Sequence, residues 1–344
     1  MGLFFNNNDF VGIEIGNTAI RLVQLRLVGK KYTLISFGSA QLPPKIVQSD
    51  SKLDMQKVAA IIQQLVKSSK VTTKNVATAL PASAVFSFIA KMPPMSHAEL
   101  ENAIRYQAEQ NIPLKIEDVR IDWQVIRENP TTHETAVMVV SAPNKNASRL
   151  LEIFNMADMN VIFLETNSIA NSRSLSNLND PIVMIVDIGA ATTEITIVEN
   201  SVVSHVRSVS SGGYAFTRAI SQGLGLDITQ AEQFKQKFGM SQDKLEGQVY
   251  KTLKPFVGNI TDEIRRSMKY YYEQFGTSVQ KIVLTGGSSR MLLLAENIKN
   301  TLNVEVTFGN PWINVKAQPE VVAKLNDIAP EFATVVGLAM RDNK

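Results

Sequence analysis

Two short stretches of this 344-residue sequence put a carboxylate two positions before a glycine at the end of an apolar run: Ile13-Glu14-Ile15-Gly16 and Val186-Asp187-Ile188-Gly189. Without a Cβ at the glycine, backbone N–H groups can approach phosphate oxygens closely, so each turn can cradle a phosphate. A carboxylate just inside such a turn suits Mg²⁺, which dehydrates reluctantly and is usually held through water. Two such turns facing one another would clamp a triphosphate from both sides. A third stretch, Val283-Leu284-Thr285-Gly286-Gly287-Ser288-Ser289-Arg290, ends an apolar run in a double glycine, with a helix expected to start near Arg290. A double glycine lets the chain pass flat beneath a base or ribose. Alone it is an ordinary strand-to-helix turn capped by Ser288; behind two acid-x-glycine turns it reads as a nucleoside site.

The elements that must hold these turns follow from the apolar spacing. Val11–Gly16, Ala19–Leu27 and Tyr32–Ser39 alternate between turn residues and predict a β-meander. A helix carrying Leu53, Val58, Ile61, Ile62 and Leu65 follows, then a strand at Val76–Leu80. From Pro81 to Ile126 the texture changes. A strand at Val85–Ile89 runs into Met92-Pro93-Pro94-Met95, and Ser96 with Glu99 forms the capping box of a helix that ends before Pro113. Strands near Ile121–Ile126 and Thr135–Ser141 complete a small α+β module. A helix at Ala147–Met156, a strand at Val161–Leu164 and a helix from Ser168 resume the first domain, and the turn-rich Leu178–Pro181 marks the passage to the second half. That half opens on a second meander, Ile182–Asp187, Glu194–Glu199 and Val202–Val209. Asp187 lies 173 positions after Glu14, almost half the chain, so the economical explanation is duplication of a whole domain.

Composition excludes several classes. Hydrophobic residues make up 44% and charged residues 19%, with a net charge of +3 and no basic run, which is not a nucleic-acid footprint. There is no cysteine, so disulfides, thiolate metal sites and cysteine nucleophiles are out. The start, MGLFFNNNDF, has neither a basic n-region nor a secretory apolar run, and Asn6 breaks the myristoylation pattern. No apolar run reaches the ~18 residues of a membrane span, so a cytoplasmic protein is expected. His97, His133 and His205 fall in no metal or triad pattern, and no Walker loop is present.

The succession of acid-x-glycine turn, second acid-x-glycine turn and T-G-G-S resembles the phosphate-1, phosphate-2 and adenosine motifs of the actin and sugar-kinase superfamily. Within it, Asp187-Ile188-Gly189-Ala190-Ala191-Thr192-Thr193, the ending Phe332–Arg341 and the module with Asn111-Ile112-Pro113-Leu114 are similar to the PilM family of type IV pilus assembly proteins. The resemblance implies an actin-like α/β fold of two duplicated RNase H-like domains with an inserted small α+β module. The expected boundaries are 1–81 with 143–180 for the first domain, 82–142 for the insert, 181–213 with 281–344 for the second domain and 214–280 for a helical subdomain.

The same resemblance implies the site residues. Gly16, Asn17 and Thr18 match the first phosphate turn and Arg21 the basic residue that reaches the phosphates. Gly189, Thr192 and Thr193 match the second turn, with Glu14 and Asp187 on the Mg²⁺ side. Glu232 and Lys235 match the helix that contacts adenosine, and Gly286, Gly287 and Ser288 the adenosine turn. Glu165 stands where relatives place a water-orienting residue; as a catalytic residue it competes with a plain strand-end carboxylate. Glu14 in place of the usual Asp, and Ala191 in place of a second glycine, imply ATP binding with at most slow hydrolysis. The implied partner is the cytoplasmic N-terminal tail of PilN, taken by a groove with Val85, Phe86, Phe88 and Ile104, alongside other inner-membrane pilus components and a possible homo-oligomer. Membrane association is then indirect, through partners. The alternative is a filament-forming cell-division protein of the FtsA type, which usually ends in an amphipathic membrane-binding helix; this sequence stops at Asp342-Asn343-Lys344, directly after the closing helix.

Overall fold

Val11, Ile13, Ile20 and Leu22, apolar at alternate positions of neighbouring strands, are all fully buried and seed the first core. The computed structural model describes residues 9–29, 31–129, 133–177 and 182–341, so the features expected at Met1–Asn8, Leu178–Pro181 and Asp342–Lys344 lie outside the described residues. The chain divides into two compact units, residues 1–174 with 310–344 and residues 175–309.

In the first unit β1 (Val11–Ile15), β2 (Ala19–Val28) and β3 (Lys31–Gln41) form the expected antiparallel meander. α1 (Lys52–Ser68) buries Met55, Val58, Ala59, Ile62 and Leu65, one face at three- and four-residue steps, and leads to β4 (Asn75–Leu80), parallel to β1. The insert follows as β5 (Phe86–Met92), α2 (His97–Asn111), β6 (Val119–Asn129) and β7 (Glu134–Pro143). Its strands form a separate antiparallel sheet in the order β5-β7-β6, over which α2 buries Leu100, Ile104 and Ala108. The capping box expected at Ser96 is formed, with Ser96 N–H donating to Glu99 Oε2 at 2.8 Å. α3 (Asn144–Met156) anchors the insert: Asn144 Nδ2 donates to the Glu117 carbonyl (3.0 Å) and Asn146 Nδ2 to the Ala84 carbonyl (2.9 Å). β8 (Asn160–Thr166), parallel to β4, and α4 (Asn167–Leu175) follow.

The second unit repeats the plan. β9 (Ile182–Ile188), β10 (Thr193–Glu199) and β11 (Val202–Val209) form a meander, followed by α5 (Gly213–Leu224), α6 (Ile228–Phe238) and α7 (Gln248–Phe275). β12 (Lys281–Thr285), α8 (Leu294–Leu302) and β13 (Glu305–Phe308) complete it. The sheet order β11-β10-β9-β12-β13 is the order β3-β2-β1-β4-β8 of the first unit. The agreement reaches single hydrogen bonds. Gly16 N–H donates to the Ala19 carbonyl and Gly189 N–H to the Thr192 carbonyl, each at 3.0 Å and 173 positions apart. Both third strands carry one extra residue, Ile35 and Ser204, opposite the same place on the second strands, between Gln24 and Leu25 and between Ile197 and Val198. The duplication is therefore one of backbone geometry.

Two expectations are corrected. The helix predicted near Arg290 begins at Leu294, because residues 286–293 are spent on consecutive turns. The stretch 281–344, expected as one piece of the second domain, divides at residue 310. From there β14 (Val315–Lys316) adds to the edge of β3, and α9 (Pro319–Ile328) and α10 (Ala333–Ala339) pack in the first unit. α10 lies at backbone contact with both neighbours. A Cβ added to Gly12 on β1 would sit 2.6 Å from the Val335 carbonyl oxygen, and one added to Gly337 would sit 1.9 Å from that of Ala170 on α4.

In the second unit His205 on β11 packs against Tyr270 of α7, ring centroids 5.1 Å apart. Burial, helped by the Arg207 cation, lowers its pKa to about 4. An unfolded imidazole takes up its proton near pH 6.5 while the folded one does not, so stability is held above about pH 6.5 and lost as pH falls toward 4, by up to about 3 kcal/mol. His205→Phe should flatten that acid limb in melts recorded between about pH 7 and 4.5; an unchanged slope would assign it to other groups.

Candidate nucleotide-binding site

β9 and β12 are parallel neighbours, and their carboxyl ends lie side by side with Thr285 level with Asp187. Ligands of open α/β sheets gather at that edge. From the end of β9 the Gly189–Thr192 turn enters β10, and from the end of β12 the chain turns through Gly286, Gly287 and Ser288. The Gly189 carbonyl ties these turns together, accepting from Gly213 N–H at the start of α5 (2.9 Å) and from Ser288 Oγ (3.1 Å). Ser288 N–H donates to the Ile188 carbonyl at 2.9 Å. Gly286 has φ +84°, and a Cβ on it would lie 2.3 Å from Asp187 Oδ1 and 2.6 Å from the Ile188 carbonyl oxygen, so glycine lets the chain pass over Asp187.

α6 contributes the polar wall. Lys235 is buried, and its Nζ donates to Glu232 Oε2 (2.7 Å), Thr217 Oγ1 (3.0 Å) and the Gly213 carbonyl (3.3 Å). Thr217 Oγ1 is also 2.6 Å from Glu232 Oε2. Burial pushes the Glu232 carboxyl up, but the hydrogen bonds from Lys235 and Thr217 outweigh it and its pKa lies below the ordinary value. Gly213 stands at the centre, where a Cβ would lie 2.4 Å from Ser288 Oγ and 3.4 Å from Lys235 Nζ. Thus Gly189, Ser288 and Lys235, expected from separate motifs, meet around one residue that sequence reasoning passed over. The available signal was Ser211-Gly212-Gly213 between a strand and a helix, with Thr217 one turn further on.

The first unit presents the matching turn alone. Gly16–Ala19 is closed by its hydrogen bond, and the Thr18 carbonyl accepts from Leu42 N–H at 2.8 Å, with Asn17 and Thr18 half-buried. Glu14 and Arg21 face each other across β1 and β2. Arg21 lies beside the turn, its Nη1 3.7 Å from where a Gly16 Cβ would be, but its Nη2 is held by Glu331 Oε2 at 2.6 Å and its guanidinium lies over the Phe332 ring. The residue expected to reach phosphate is thus engaged by the C-terminal segment.

Glu165 is also placed differently from the expectation. Its carboxylate is 3% exposed and bidentate with Arg173, Oε1 to Nη1 at 2.8 Å and Oε2 to Nη2 at 2.9 Å, and Arg341 Nη1 adds a third contact. Both oxygens hold β8, α4 and the C-terminal segment together through three guanidinium contacts, which gives the carboxylate a structural part. Of the expected peptide contacts, Ile104 is 1% exposed and belongs to the insert's own core. Phe86 and Phe88 pack beneath α2, and Val85 packs against the main core of the first unit.

As a fit test for Mg²⁺–nucleotide, the missing Cβ atoms of Gly213 and Gly286 let the Gly189 and Gly286–Ser288 turns and Lys235 close on one another at the carboxyl end of the sheet, where backbone N–H groups suit phosphate, and the hard Asp187 oxygen suits Mg²⁺. Among the described residues no three Asp, Glu or His side chains converge as a metal site. Mg²⁺ would therefore depend on phosphate and water for most of its shell, with Asp187 or Glu14 as protein carboxylate.

The model of the type IV pilus assembly protein PilM matches residues 12–343. The chain belongs to the PilM family. A solved PilM-PilN type IV pilus biogenesis complex superposes at a TM-score of 0.84 with 28% identity, covering 97% of this chain and 98% of that one. The cell division protein FtsA of Neisseria meningitidis serogroup B is 24% identical over 282 residues, 71% of this chain and 66% of FtsA, so the chain spans just under two-thirds of that relative. MreB 5 of Spiroplasma citri, solved with AMPPNP, shares the fold at a TM-score of 0.54 and 12% identity, covering 96% of this chain and 95% of that one. PilM-family membership and the actin-like fold are thus established together, and all the turns described above lie within the matched residues. Among the described residues no helix is long and apolar enough to cross a membrane.

Proposed function

We propose that this PilM-family chain is an ATP-binding scaffold of the type IV pilus inner-membrane assembly complex. The observation that carries the reading is the convergence on Gly213 of the Gly189 turn, the Gly286–Ser288 turn and the Glu232–Lys235 pair. In this reading Gly189 and Thr192 bind phosphate, while Thr193, expected to do so as well, is fully buried and donates its hydroxyl to the Ser211 carbonyl at 2.8 Å, bracing the turn. Gly286–Ser288 bind the base and ribose, Glu232 and Lys235 the ribose side, and Gly16–Thr18 phosphate from their own unit. Mg²⁺, when bound, would neutralise phosphate charge; Asp187 would orient its water shell. Glu14 in place of aspartate and Ala191 in place of a second glycine suit turnover that is at most slow.

The proposed partner is a PilN, as in the solved PilM-PilN complex, and the segment we assign to this chain's insert is its cytoplasmic N-terminal tail. β5 is an edge strand in the order β5-β7-β6, and an extended tail can add along such an edge. Val85, Phe86 and Phe88 then flank the tail, while Ile104 supports it from the core. Other inner-membrane pilus components and self-association remain part of the proposal, as does attachment at the inner membrane through partners. ATP would bias how the insert meets the tail only if the tail's affinity differs between nucleotide states.

Calorimetric titration with Mg-ATP, with phosphate release followed in parallel, tests the site. Wild type should bind with little release and Asp187→Ala should bind weakly. Gly213→Ala should weaken binding about tenfold or more, because its Cβ displaces the Ser288 hydroxyl. Binding unchanged in Gly213→Ala would remove the site from this part of the fold. Titrating a PilN tail peptide with and without Mg-ATP tests the coupling, and equal affinities would end it.

A further inference from the structure

At one end of the six-stranded sheet the β2–β3 hairpin turns over after Leu27 and Val28, and Ile313 lies in the turn entering β14, whose Val315 pairs with Tyr32 just past that hairpin turn. The three side chains are exposed to 51%, 60% and 77%. Leu27 and Val28 are consecutive strand residues on opposite faces of the hairpin, so its tip is apolar on both sides, with Ile313 at the same sheet end and a cationic rim. Lys31 is exposed at the hairpin and Arg26 stands beside it. The loop of residues 70–74 is tied to the same end by Thr73 Oγ1, which donates to the Asp9 carbonyl at 2.8 Å, and it carries Lys70 and Lys74.

The acids nearby are already engaged, Asp9 by Arg26 at 3.8 Å and Asp158 by Lys74. Among the described residues Lys31 and Lys70 have no ion pair, so the rim has two more cations than acids. Aliphatic side chains on a projecting hairpin, surrounded by unpaired lysines, match the chemistry of a bilayer interface bearing anionic headgroups.

We propose that this end of the sheet contacts the membrane directly, with Leu27, Val28 and Ile313 entering the interfacial layer and the surrounding cations meeting lipid phosphates. The contact is independent of nucleotide and adds to any attachment through partners.

Co-sedimentation of the full chain with vesicles of phosphatidylcholine and phosphatidylglycerol, against phosphatidylcholine alone, tests this. Wild type should partition onto the mixed vesicles and release at high salt. Leu27→Ser with Val28→Ser should weaken partitioning about tenfold or more, and Lys31→Ala about fivefold. All three positions are exposed, so thermal melts should stay unchanged, and Ile313→Ser gives an independent loss through a different element. No binding by wild type, equal binding to phosphatidylcholine alone, or unchanged partitioning in the variants would overturn the proposal. A change of molar mass in light scattering without vesicle binding would also overturn it, in favour of a second copy on this face.

Discussion

Gly337→Ala is expected to lower the melting temperature of the first unit by about 6–12 °C, although alanine is ordinarily the better helix former by about 1 kcal/mol. The sign reverses because α10 crosses α4 at backbone contact. The new methyl would sit 1.9 Å from the Ala170 carbonyl oxygen, a main-chain atom that no rotamer change can remove. Relief requires the helices to part, which breaks the hydrogen bonds from Arg173 Nη1 to the Gly337 carbonyl (2.6 Å) and from Thr334 Oγ1 to Asn171 Oδ1 (3.0 Å). Overpacking of this kind costs about 3 kcal/mol at the upper end of its usual range. Differential scanning calorimetry reads the effect, and a melt that stays put or rises would mean that the helices separate freely.

Glu165→Gln should cost about 3 kcal/mol of stability while leaving Mg-ATP affinity unchanged. Removing the charge strands Arg173 and Arg341 around a nearly buried amide, and breaking a buried pair from one side costs about 3–5 kcal/mol, moderated here because both guanidiniums keep some solvent contact. The measurement pairs a melt with single-turnover phosphate release. A fall in release with stability intact would restore the water-orienting role expected from the sequence, whereas a fall in stability with release unchanged supports the ion-pair role.

What the sequence carried well was local. The acid-x-glycine turns, the 173-residue offset and the Ser96–Glu99 cap each depend on a few adjacent residues; the cap forms its expected hydrogen bonds, and the two turns prove to be closed by the same backbone bond. What it hid was long-range. Arg21 and Glu331 are 310 positions apart and Arg341 and Glu165 are 176 apart, so no spacing rule links them. The segment Ala333–Ala339 is buried along its whole length, which announces a buried helix but not which unit buries it. Gly212-Gly213 resembles any turn before a helix until Ser288 and Lys235 are seen to close on it. At Ile104 the periodicity announced a buried helix face, and the structure covers that residue within the insert's own core, so it can support a bound tail only from beneath.

The return of residues 310–344 to the first unit also bears on how the protein is made. The second unit is one continuous run, 175–309, so all of its sequence has been translated before the 35 residues from Asn310 onward exist. Domains usually finish in the order in which they leave the ribosome. Here the half begun first must wait for the 170 residues that follow Ser174, about 9–34 s at ordinary elongation rates. During that interval Gly12 and Ala170 have no α10 to meet, and Val23 and Phe37 lack the C-terminal residues that cover them. That uncovered face is where a chaperone would be needed most.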